Sequence, residues 1–322
     1  MPRIKLVAIS PPNAPHLSML KELPSDVEVT VGISEEELAG PIADADVIFN
    51  GMGKGDLLKV LLPHAKAVRW IHSMSAGVEH LMFPAIVDSP VPLTNARGVF
   101  AESLGEFVIA AALYFAKHFP RMKRSQAEGK WDVFDVDMLS RQSMAIVGYG
   151  EIGRAAARRA KALGMKVYAT RRRPELLKDD PVVDEGFSPA DRVAMIAKAD
   201  YVVAAAAITP ETRGLIGEKE FAAMKPNAVV MNVGRGPVLD EAGMVKALQE
   251  KRIRGAALDV FDVEPLPPGH PFWSMENVLL SPHTADHVEG WMDDAMRFFI
   301  ENFGRFYRGE PLQNIVDKKA GY

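Results

Sequence analysis

The stretch Met144-Ala145-Ile146-Val147-Gly148-Tyr149-Gly150-Glu151-Ile152-Gly153 decides the fold of this chain. Four apolar residues run into a G-x-G-x-x-G pattern, and a helix-like segment, Arg154 to Leu163, follows before Gly164. Glycines at this spacing allow a tight turn, a close approach of backbone to a pyrophosphate, and close packing of helix on strand. The pattern predicts a strand, a turn and a helix whose N-terminus binds a dinucleotide, although the same turn also occurs without a ligand. The predicted contacts are Gly148, Gly150, Glu151, Ile152 and Gly153.

The end of the next strand indicates which dinucleotide is bound. Lys166 to Thr170 is the predicted strand, and Arg171, Arg172 and Arg173 follow it. Sites for NAD usually carry an acidic residue about 20 residues after the glycines, which holds the ribose 2′-hydroxyl. This chain has no carboxylate there before Glu175. Because guanidinium groups pair well with a phosphate dianion, we predict that NADP(H) is preferred and NAD(H) is possible, with a solvated basic turn as the alternative.

Short apolar runs alternate with helix-like segments on both sides of this turn. The predicted strands before it are Ile4 to Ile9, Val27 to Ile33, Asp46 to Phe49 and Ala67 to Ile71, and a long apolar helix follows from Val99 to His118. The predicted strands from the turn onward are Met144 to Val147, Lys166 to Ala169, Tyr201 to Ala206, Ala228 to Asn232, Gly255 to Val260 and Val278 to Leu280. An amphipathic helix from Val288 to Tyr307 ends the pattern. This alternation predicts an α/β fold of two Rossmann-like domains with doubly wound parallel sheets.

Composition excludes several classes of function. The chain has 322 residues, a formal net charge of -4 and no cysteine. The charge gives no general attraction to nucleic acid or to an anionic membrane, and the missing thiols exclude disulfides and thiolate catalysis. We expect a cytoplasmic protein, because no charged leader precedes a long apolar region and no stretch reaches the ~20 apolar residues of a membrane span. The histidines show no metal-ligand spacing, so no metal is predicted.

Four further segments resemble the D-isomer-specific 2-hydroxyacid dehydrogenase family. They are Ser73 to His80, Asn232 to Gly236, Ala257 to Leu266, and Ser281 to Ala285. Together with the glycine turn they cover nearly the whole chain in the order that the family shows, and glyoxylate or hydroxypyruvate reductases are the members it looks like. The resemblance implies a substrate domain formed by residues 1–98 and 287–322, with a dinucleotide-binding domain, residues 99–286, inserted into it.

The resemblance also implies a catalytic set of Arg235, Glu264 and His283. Reduction of a 2-keto acid needs a group that holds the carboxylate, a group that stabilises charge on the carbonyl oxygen, and a proton donor. Arg235 can do the first two with its planar guanidinium, and His283 can donate the proton. Glu264 can bond the far side of the imidazole and stabilise its protonated form. Each residue also has a structural alternative as a loop or turn residue.

Other residues carry over from the family more loosely. The backbone amides of a glycine-containing turn would hold the substrate carboxylate. That turn contains Ser75, Ala76, Gly77 and Val78. Residues expected beside the cofactor are Ala207, Thr212, Val233 and Asp259. For Thr212 the alternative is a turn that begins a helix, and for Asp259 it is a bond to local backbone.

The sequence departs from the family after the histidine, where small residues are common. Asp286 stands there, and it could change the pKa of His283, hold a polar substrate or cap the last helix. His287 and Trp291 are candidates for substrate contact, although helix packing is favoured for Trp291. A further departure is that Ala204 to Ile208 lacks the proline often seen before the Thr-Pro-Glu-Thr loop.

The family resemblance leaves function partly open. The leading prediction is reduction of a small 2-keto acid to the D-2-hydroxy acid. The alternatives are a dehydrogenase of the formate or phosphite type, and a dinucleotide-sensing protein of the corepressor type. The family usually forms dimers through its nucleotide domains, so a homodimer is expected, with the apolar helix and the segment around Trp131 to Met138 as the similar elements.

Overall fold

The computed structural model describes residues 3–52 and 54–322, and it divides into two compact units. One, here the terminal unit, comprises Met1–Phe100 and Glu289–Tyr322, and the other, the central unit, comprises Ala101–Val288. The predicted domain boundaries each lie two residues before the corresponding boundaries between these units. The middle of the chain therefore forms one unit, and both ends contribute to the other.

The first part of the terminal unit contains a five-stranded parallel sheet in the order β2-β1-β3-β4-β5. Its strands are β1 (Ile4–Ile9), β2 (Val27–Gly32), β3 (Val47–Asn50), β4 (Trp70–Ser73) and β5 (Leu93–Asn95). The helices between them are α1 (Glu35–Leu38), α2 (Asp56–Leu61) and α3 (Pro84–Val87). The central strands β3 and β4 are buried along their whole length, as expected for a parallel sheet covered on both faces. The carboxyl ends of β3, β4 and β5 carry Asn50, Ser73 and Asn95, respectively.

The central unit contains a seven-stranded parallel sheet in the order β12-β11-β10-β9-β6-β7-β8. Its strands are β6 (Ser143–Val147), β7 (Lys166–Thr170), β8 (Glu185–Phe187), β9 (Tyr201–Ala204), β10 (Val229–Asn232), β11 (Gly255–Leu258) and β12 (Val278–Leu280). The strand order reverses between β6 and β9, which is where doubly wound sheets open a crevice for ligands. The fold class predicted from the sequence, two domains with parallel sheets, is confirmed.

The helices of the central unit include two long ones that pack on each other. They are α4 (Ala101–Ala116) and α6 (Glu151–Ala162). Small residues permit the approach, since a Cβ added to Gly105 of α4 would lie 3.0 Å from backbone of Ala155 in α6. The other helices are α5 (Phe119–Ala127), α7 (Arg192–Ala197), α8 (Glu218–Ala223) and α9 (Glu241–Gln249).

The last helix, α10 (Trp291–Arg308), belongs to the terminal unit. Its apolar face is aromatic, and Phe299 and Phe303 are fully buried. The ring of Phe299 stacks on Trp70 of β4 at a centroid distance of 5.5 Å and lies 4.6 Å from Phe49 of β3. Aromatic pairs at such distances add to the free energy of area burial, so α10 is held firmly on the terminal sheet.

Two strands were missed by the sequence patterns and one was displaced. Leu93–Asn95 is only three residues long and follows two prolines, and Glu185–Phe187 is a mostly exposed strand at the sheet edge without an apolar run. Strand β4 begins at Trp70, three residues later than Ala67, where the apolar run begins. Short edge strands carry little of the alternation that sequence reasoning depends on.

Candidate active site

The glycine turn of the central unit has the backbone that a dinucleotide site requires. Gly148 has a φ of +97°, and a Cβ there would lie 2.5 Å from the amide nitrogen of Ala206. A Cβ on Gly153 would lie 2.7 Å from the carbonyl oxygen of Gly148, so this position packs helix against strand. At Gly150, by contrast, an added Cβ would meet open space. The three glycines therefore have the separate roles that the motif implies, and only the middle one faces room for a ligand.

The helix that follows the turn offers the amides of its first turn, which have no acceptor within the helix. It begins at Glu151, and its preceding residue, Gly150, provides no side-chain cap. Helix α6 spans 12 residues, so the partial positive charge of its N-terminus adds to these amides. Glu151 is exposed and Ile152 is half-buried. The predicted cofactor residues 148–153 thus fit the pyrophosphate of a dinucleotide.

One neighbouring loop lies against this turn, and a second loop lies against the first. Ala206 contacts it at Gly148, and a Cβ on Gly234 would lie 2.7 Å from the carbonyl oxygen of Ala206. Ala207 is exposed beside this contact, and Val233 is buried. The Oγ1 of Thr212 accepts from the amide of Thr209 at 2.7 Å and donates to the carbonyl of Ala207 at 2.7 Å. The Thr212 hydroxyl thus holds its own loop, which is a turn that does not begin a helix.

The three arginines after β7 differ in exposure. Arg171 is half-buried, whereas Arg172 and Arg173 are exposed. A hydrogen bond from Thr209 and, more weakly, the charge of Arg172 lower the pKa of Glu211, which places Arg172 within electrostatic range of that loop. The basic segment therefore lies near one of the loops that border the glycine turn.

Arg235 stands on a loop that is held from both sides. The side chain of Asn232, at the end of β10, donates to the carbonyl of Arg235 at 3.0 Å and accepts from the amide of Gly234 at 3.2 Å. A Cβ added to Gly236 would lie 1.9 Å from the carbonyl carbon of Phe261. Only a glycine fits at this position, so the arginine loop and the loop that contains Glu264 touch through their backbones.

His283 and Glu264 form a direct pair. The Nδ1 of His283 lies 2.7 Å from Oε2 of Glu264, while Oε1 of Glu264 accepts from the amide of Phe261 at 2.9 Å. The carboxylate is thus fixed by backbone and in turn fixes the ring. His283 has a φ of +54°, an uncommon conformation for a non-glycine residue that persists when the surroundings impose it. With Nδ1 engaged, Nε2 is the ring atom that remains for proton exchange.

Asp259 imposes that conformation. It is almost fully buried at the end of β11, and its Oδ1 accepts from Oγ of Ser281 at 2.5 Å, from the amide of Thr284 at 3.0 Å and from the amide of Ala285 at 3.1 Å. The Oγ of Ser103 donates to the carbonyl of Ala285 at 2.5 Å. Asp259 therefore binds the backbone of a loop 25 and 26 residues later in the chain, and its bonds hold the histidine loop from both ends.

Strand order brings the three predicted catalytic residues to one edge. Strands β10, β11 and β12 are consecutive and parallel, with Asn232 opposite Leu258 and Leu258 opposite Leu280. Arg235, Glu264 and His283 follow these strands in that order, and adjacent strands lie about 4.8 Å apart. The three residues thus follow the carboxyl edge of the central sheet, on the three strands that continue outward from β9.

The predicted carboxylate loop lies at the carboxyl edge of the terminal sheet. It follows β4, and its carbonyls bond inward: that of Ala76 accepts from Nδ2 of Asn95 at 2.5 Å, and that of Ser75 accepts from the amide of Ala96 at 3.3 Å. Gly77 is half-buried and Val78 is buried.

The ring of Trp291 packs edge-on against that of Phe100, with 5.8 Å between the ring centroids. Packing is the role that was favoured for this residue.

Sequence reasoning missed the residues that support this site. Asn232, Ser103 and Ser281 each bond a loop that bears a predicted catalytic residue or its neighbour. Asn232 and Ser281 stand inside the recognised segments, so their position was a usable signal, whereas Ser103 on α4 offered none.

In residues 3–52 and 54–322, no group of three or more His, Asp or Glu side chains is arranged to hold a metal ion. No helix among the described residues is long and apolar enough to cross a membrane.

Comparison with known proteins places these features in one family. Residues 109–285 match the family described as D-isomer specific 2-hydroxyacid dehydrogenase, NAD binding domain. A glyoxylate reductase of Thermofilum pendens is 32% identical over 99% of this chain and 95% of its own length. A D-3-phosphoglycerate dehydrogenase of Methanocaldococcus jannaschii is 29% identical over 98% of this chain, which spans only 59% of that relative.

A solved structure extends the similarity to the whole fold. It is an NADPH-dependent glyoxylate/hydroxypyruvate reductase of Sinorhizobium meliloti in complex with NADP and sulfate. The two chains are 25% identical, with a TM-score of 0.85 over 99% of this chain and 100% of the other. The similarity therefore extends over residues of both units.

Proposed function

Because this chain belongs to the D-isomer specific 2-hydroxyacid dehydrogenase family, we propose that it reduces a small 2-keto acid to the D-2-hydroxy acid with NAD(P)H. The observation that carries the proposal is the 2.7 Å bond between His283 and Glu264 at the same sheet edge as Arg235 and the glycine turn. A histidine with a fixed carboxylate partner and one remaining ring nitrogen is suited to donate a proton in a transition state.

Each residue has a role that follows from its chemistry. Arg235 grips the substrate carboxylate and stabilises the charge that develops on the carbonyl oxygen. The Nε2 of His283 donates a proton to that oxygen, while Glu264 keeps the ring oriented and stabilises the imidazolium before transfer. The amides of Ala76, Gly77 and Val78 bind the carboxylate, and residues 148–153 bind the pyrophosphate. The nicotinamide, when bound, supplies the hydride.

We assign the NADP(H) preference to Arg171, Arg172 and Arg173. Support comes from their position at the end of β7 and from the NADPH-dependent relative. Ala207, Val233 and Asp259 would border the cofactor on the nicotinamide side, and Thr212 would act indirectly, through the shape of its loop. NAD(H) remains a possible second cofactor, and side-by-side assays with NADPH and NADH measure the preference.

An absorbance assay of nicotinamide oxidation tests the proposal. Purified protein is mixed with NADPH or NADH and a panel of 2-keto acids that includes glyoxylate, pyruvate and hydroxypyruvate. We expect turnover with at least one acid, and we expect Arg235→Ala to reduce kcat/KM by about 10²- to 10³-fold. Arg252→Ala, which removes an exposed arginine of the same unit, serves as the control. Absence of turnover with every acid and both nucleotides would contradict the proposal.

The same assay addresses the alternatives raised by the sequence. Formate and phosphite with NAD⁺ or NADP⁺ test a dehydrogenase of that type. A protein that binds dinucleotide without turning over any of these compounds would instead fit the corepressor alternative.

We propose that the protein forms a homodimer, so that its partner is a second copy of this chain. Support comes from the segment after α5, where Trp131 is 96% exposed and Val133 is 82% exposed. Phe119 and Met122 of α5 are also exposed, so this part of the chain carries several exposed apolar side chains. Sedimentation velocity on the wild type and on Trp131→Ser tests this assignment, and a monomeric wild type would contradict it.

A further inference from the structure

Asp286 stands three residues after the proposed proton donor, on a loop with a fixed backbone. The amide of Val288 donates to the carbonyl of Asp286 at 2.9 Å, and the amide of His287 donates to the carbonyl of Thr284 at 3.0 Å. Ala285, the residue before Asp286, is held through its backbone by Asp259 and Ser103, so Asp286 follows directly on the part of the loop that these contacts fix.

One oxygen of the Asp286 carboxylate has no hydrogen-bond donor among the described residues. Its Oδ1 is buried and accepts no hydrogen bond from the described residues. The nearest recorded cation, Nε2 of His287, lies 3.7 Å away, which is too far for a hydrogen bond. Burial raises the pKa of Asp286 above its ordinary range, and the charges of His287 and His283 oppose that rise. Asp286 and His283 therefore interact electrostatically.

A capping role does not account for this residue. Helix α10 begins at Trp291 and its preceding residue is Gly290, so Asp286 lies outside the cap. A buried acceptor without a donor is costly, and such groups in folded proteins usually serve a ligand, a water or an ion. Since Asp286 shares its loop with the proposed proton donor and interacts with it electrostatically, the substrate is the ligand that we consider.

We infer that Asp286 selects the substituent on C3 of the keto acid, accepting a hydrogen bond from a 3-hydroxyl group and repelling a phosphate or carboxylate there. This inference rests on the proposed function and narrows it to 3-hydroxy-2-keto acids such as hydroxypyruvate. A buried acceptor discriminates strongly against an analogue that lacks the donor, because the acceptor then stays unpaired. A second anion close to a poorly solvated carboxylate is disfavoured by direct repulsion.

The inference separates this chain from some of its relatives. The phosphoglycerate dehydrogenase of Methanocaldococcus jannaschii is named for a phosphorylated compound. Asp286 would place a negative charge beside such a phosphate. We therefore expect 3-phosphohydroxypyruvate to be a poor substrate of this enzyme, in spite of the overall similarity.

The test compares three acids that differ only at C3: hydroxypyruvate, pyruvate and 3-phosphohydroxypyruvate. Values of kcat/KM are measured for wild type, Asp286→Ala and the near-isosteric Asp286→Asn, with Asp294→Asn as a control that neutralises an exposed carboxylate. We expect wild type to favour hydroxypyruvate over pyruvate by at least about tenfold, and we expect Asp286→Ala to lose that preference. We also expect Asp286→Asn to raise kcat/KM for the phosphorylated acid by about tenfold.

The outcomes separate this inference from the function on which it rests. If Asp286→Ala lowers the values for hydroxypyruvate and pyruvate equally, or leaves their ratio unchanged, the inference is overturned and the keto-acid reductase stands. Wild type that turns over no keto acid overturns both. Should Asp286→Ala fail to fold, the Asp286→Asn ratios for the charged and uncharged acids decide the matter.

Discussion

Two histidines in this chain occupy opposite environments. His72 lies on β4 within the core of the terminal unit, and His283 lies on a loop at the edge of the central sheet. The Nδ1 of His72 is 2.7 Å from Oγ1 of Thr94, which also accepts from Nε1 of Trp70 at 2.8 Å. The Thr94 hydroxyl therefore binds both buried rings, and no charged group partners His72 in these contacts. Burial lowers the pKa of His72 to about 3.

His283 has the features that His72 lacks. It has a carboxylate partner at 2.7 Å, and its side chain keeps 42% of its exposure. The comparison shows that residue type alone says little about proton transfer. A charged partner on one ring nitrogen and access to the other distinguish a proton donor from a core residue.

The largest effect is expected for the exposed histidine. Replacement His283→Gln removes the proton donor and should reduce kcat/KM for the preferred keto acid by about 10³-fold. The thermal unfolding midpoint should change little, because the side chain is only partly buried. His64→Gln, at another exposed histidine, is the control. Activity within tenfold of wild type would remove His283 from the mechanism.

The second-largest effect is expected for a substitution at Gly236, where the backbones of the two catalytic loops touch. A Cβ at Gly236 would lie 1.9 Å from the carbonyl carbon of Phe261, so Gly236→Ala must displace the arginine loop or the glutamate loop. We expect a loss of about 2–3 kcal/mol in free energy of unfolding, measured by denaturant titration, and a large loss of activity. Gly40→Ala is the matched control, since its added Cβ meets nothing within 4 Å. Equal stability of the two variants would disprove the contact.

The buried histidine should affect stability as a function of pH, with little effect on catalysis. Its folded pKa of about 3 lies below the ordinary value of 6.5, so between these values the unfolded state binds a proton that the folded state does not. Stability therefore falls as pH drops from 6.5 toward 3, by up to about 1.4 kcal/mol per pH unit. In His72→Phe this slope should be shallower by that amount. Denaturant titrations between pH 4 and 6.5 measure it, and parallel slopes for the two proteins would contradict the assignment.

Sequence patterns were most informative where physics leaves few alternatives. The glycine turn and its strand and helix were identified because three positions each exclude a side chain or leave room for a ligand. The family resemblance, the α/β fold and the enzyme class were predicted from these motifs, and the comparisons confirm them at the level of the family. The helix begins at Glu151, three residues before the predicted start, because the glycine turn itself supplies its first turn.

Contacts between distant residues could not be read from the sequence. The bond from Ser103 to Ala285 and the close backbone contact between Gly236 and Phe261 join segments that no local pattern relates. Asp259 is a further example. The family resemblance predicted that it contacts the cofactor, whereas its hydrogen bonds in the structure go to the histidine loop. The exact roles of the arginine, glutamate and histidine stay predictions until they are measured.

A double-mutant cycle on Glu264 and His283 tests the central claim most directly. The hydride-transfer rate is measured by single-turnover absorbance for Glu264→Gln, His283→Gln and the double variant, with nucleotide binding followed separately by fluorescence. If the two side chains act as one proton-donating unit, Glu264→Gln lowers the rate by about 10- to 100-fold and the double variant is no slower than His283→Gln. Losses that multiply in the double variant, or a Glu264→Gln rate equal to wild type, would contradict the account.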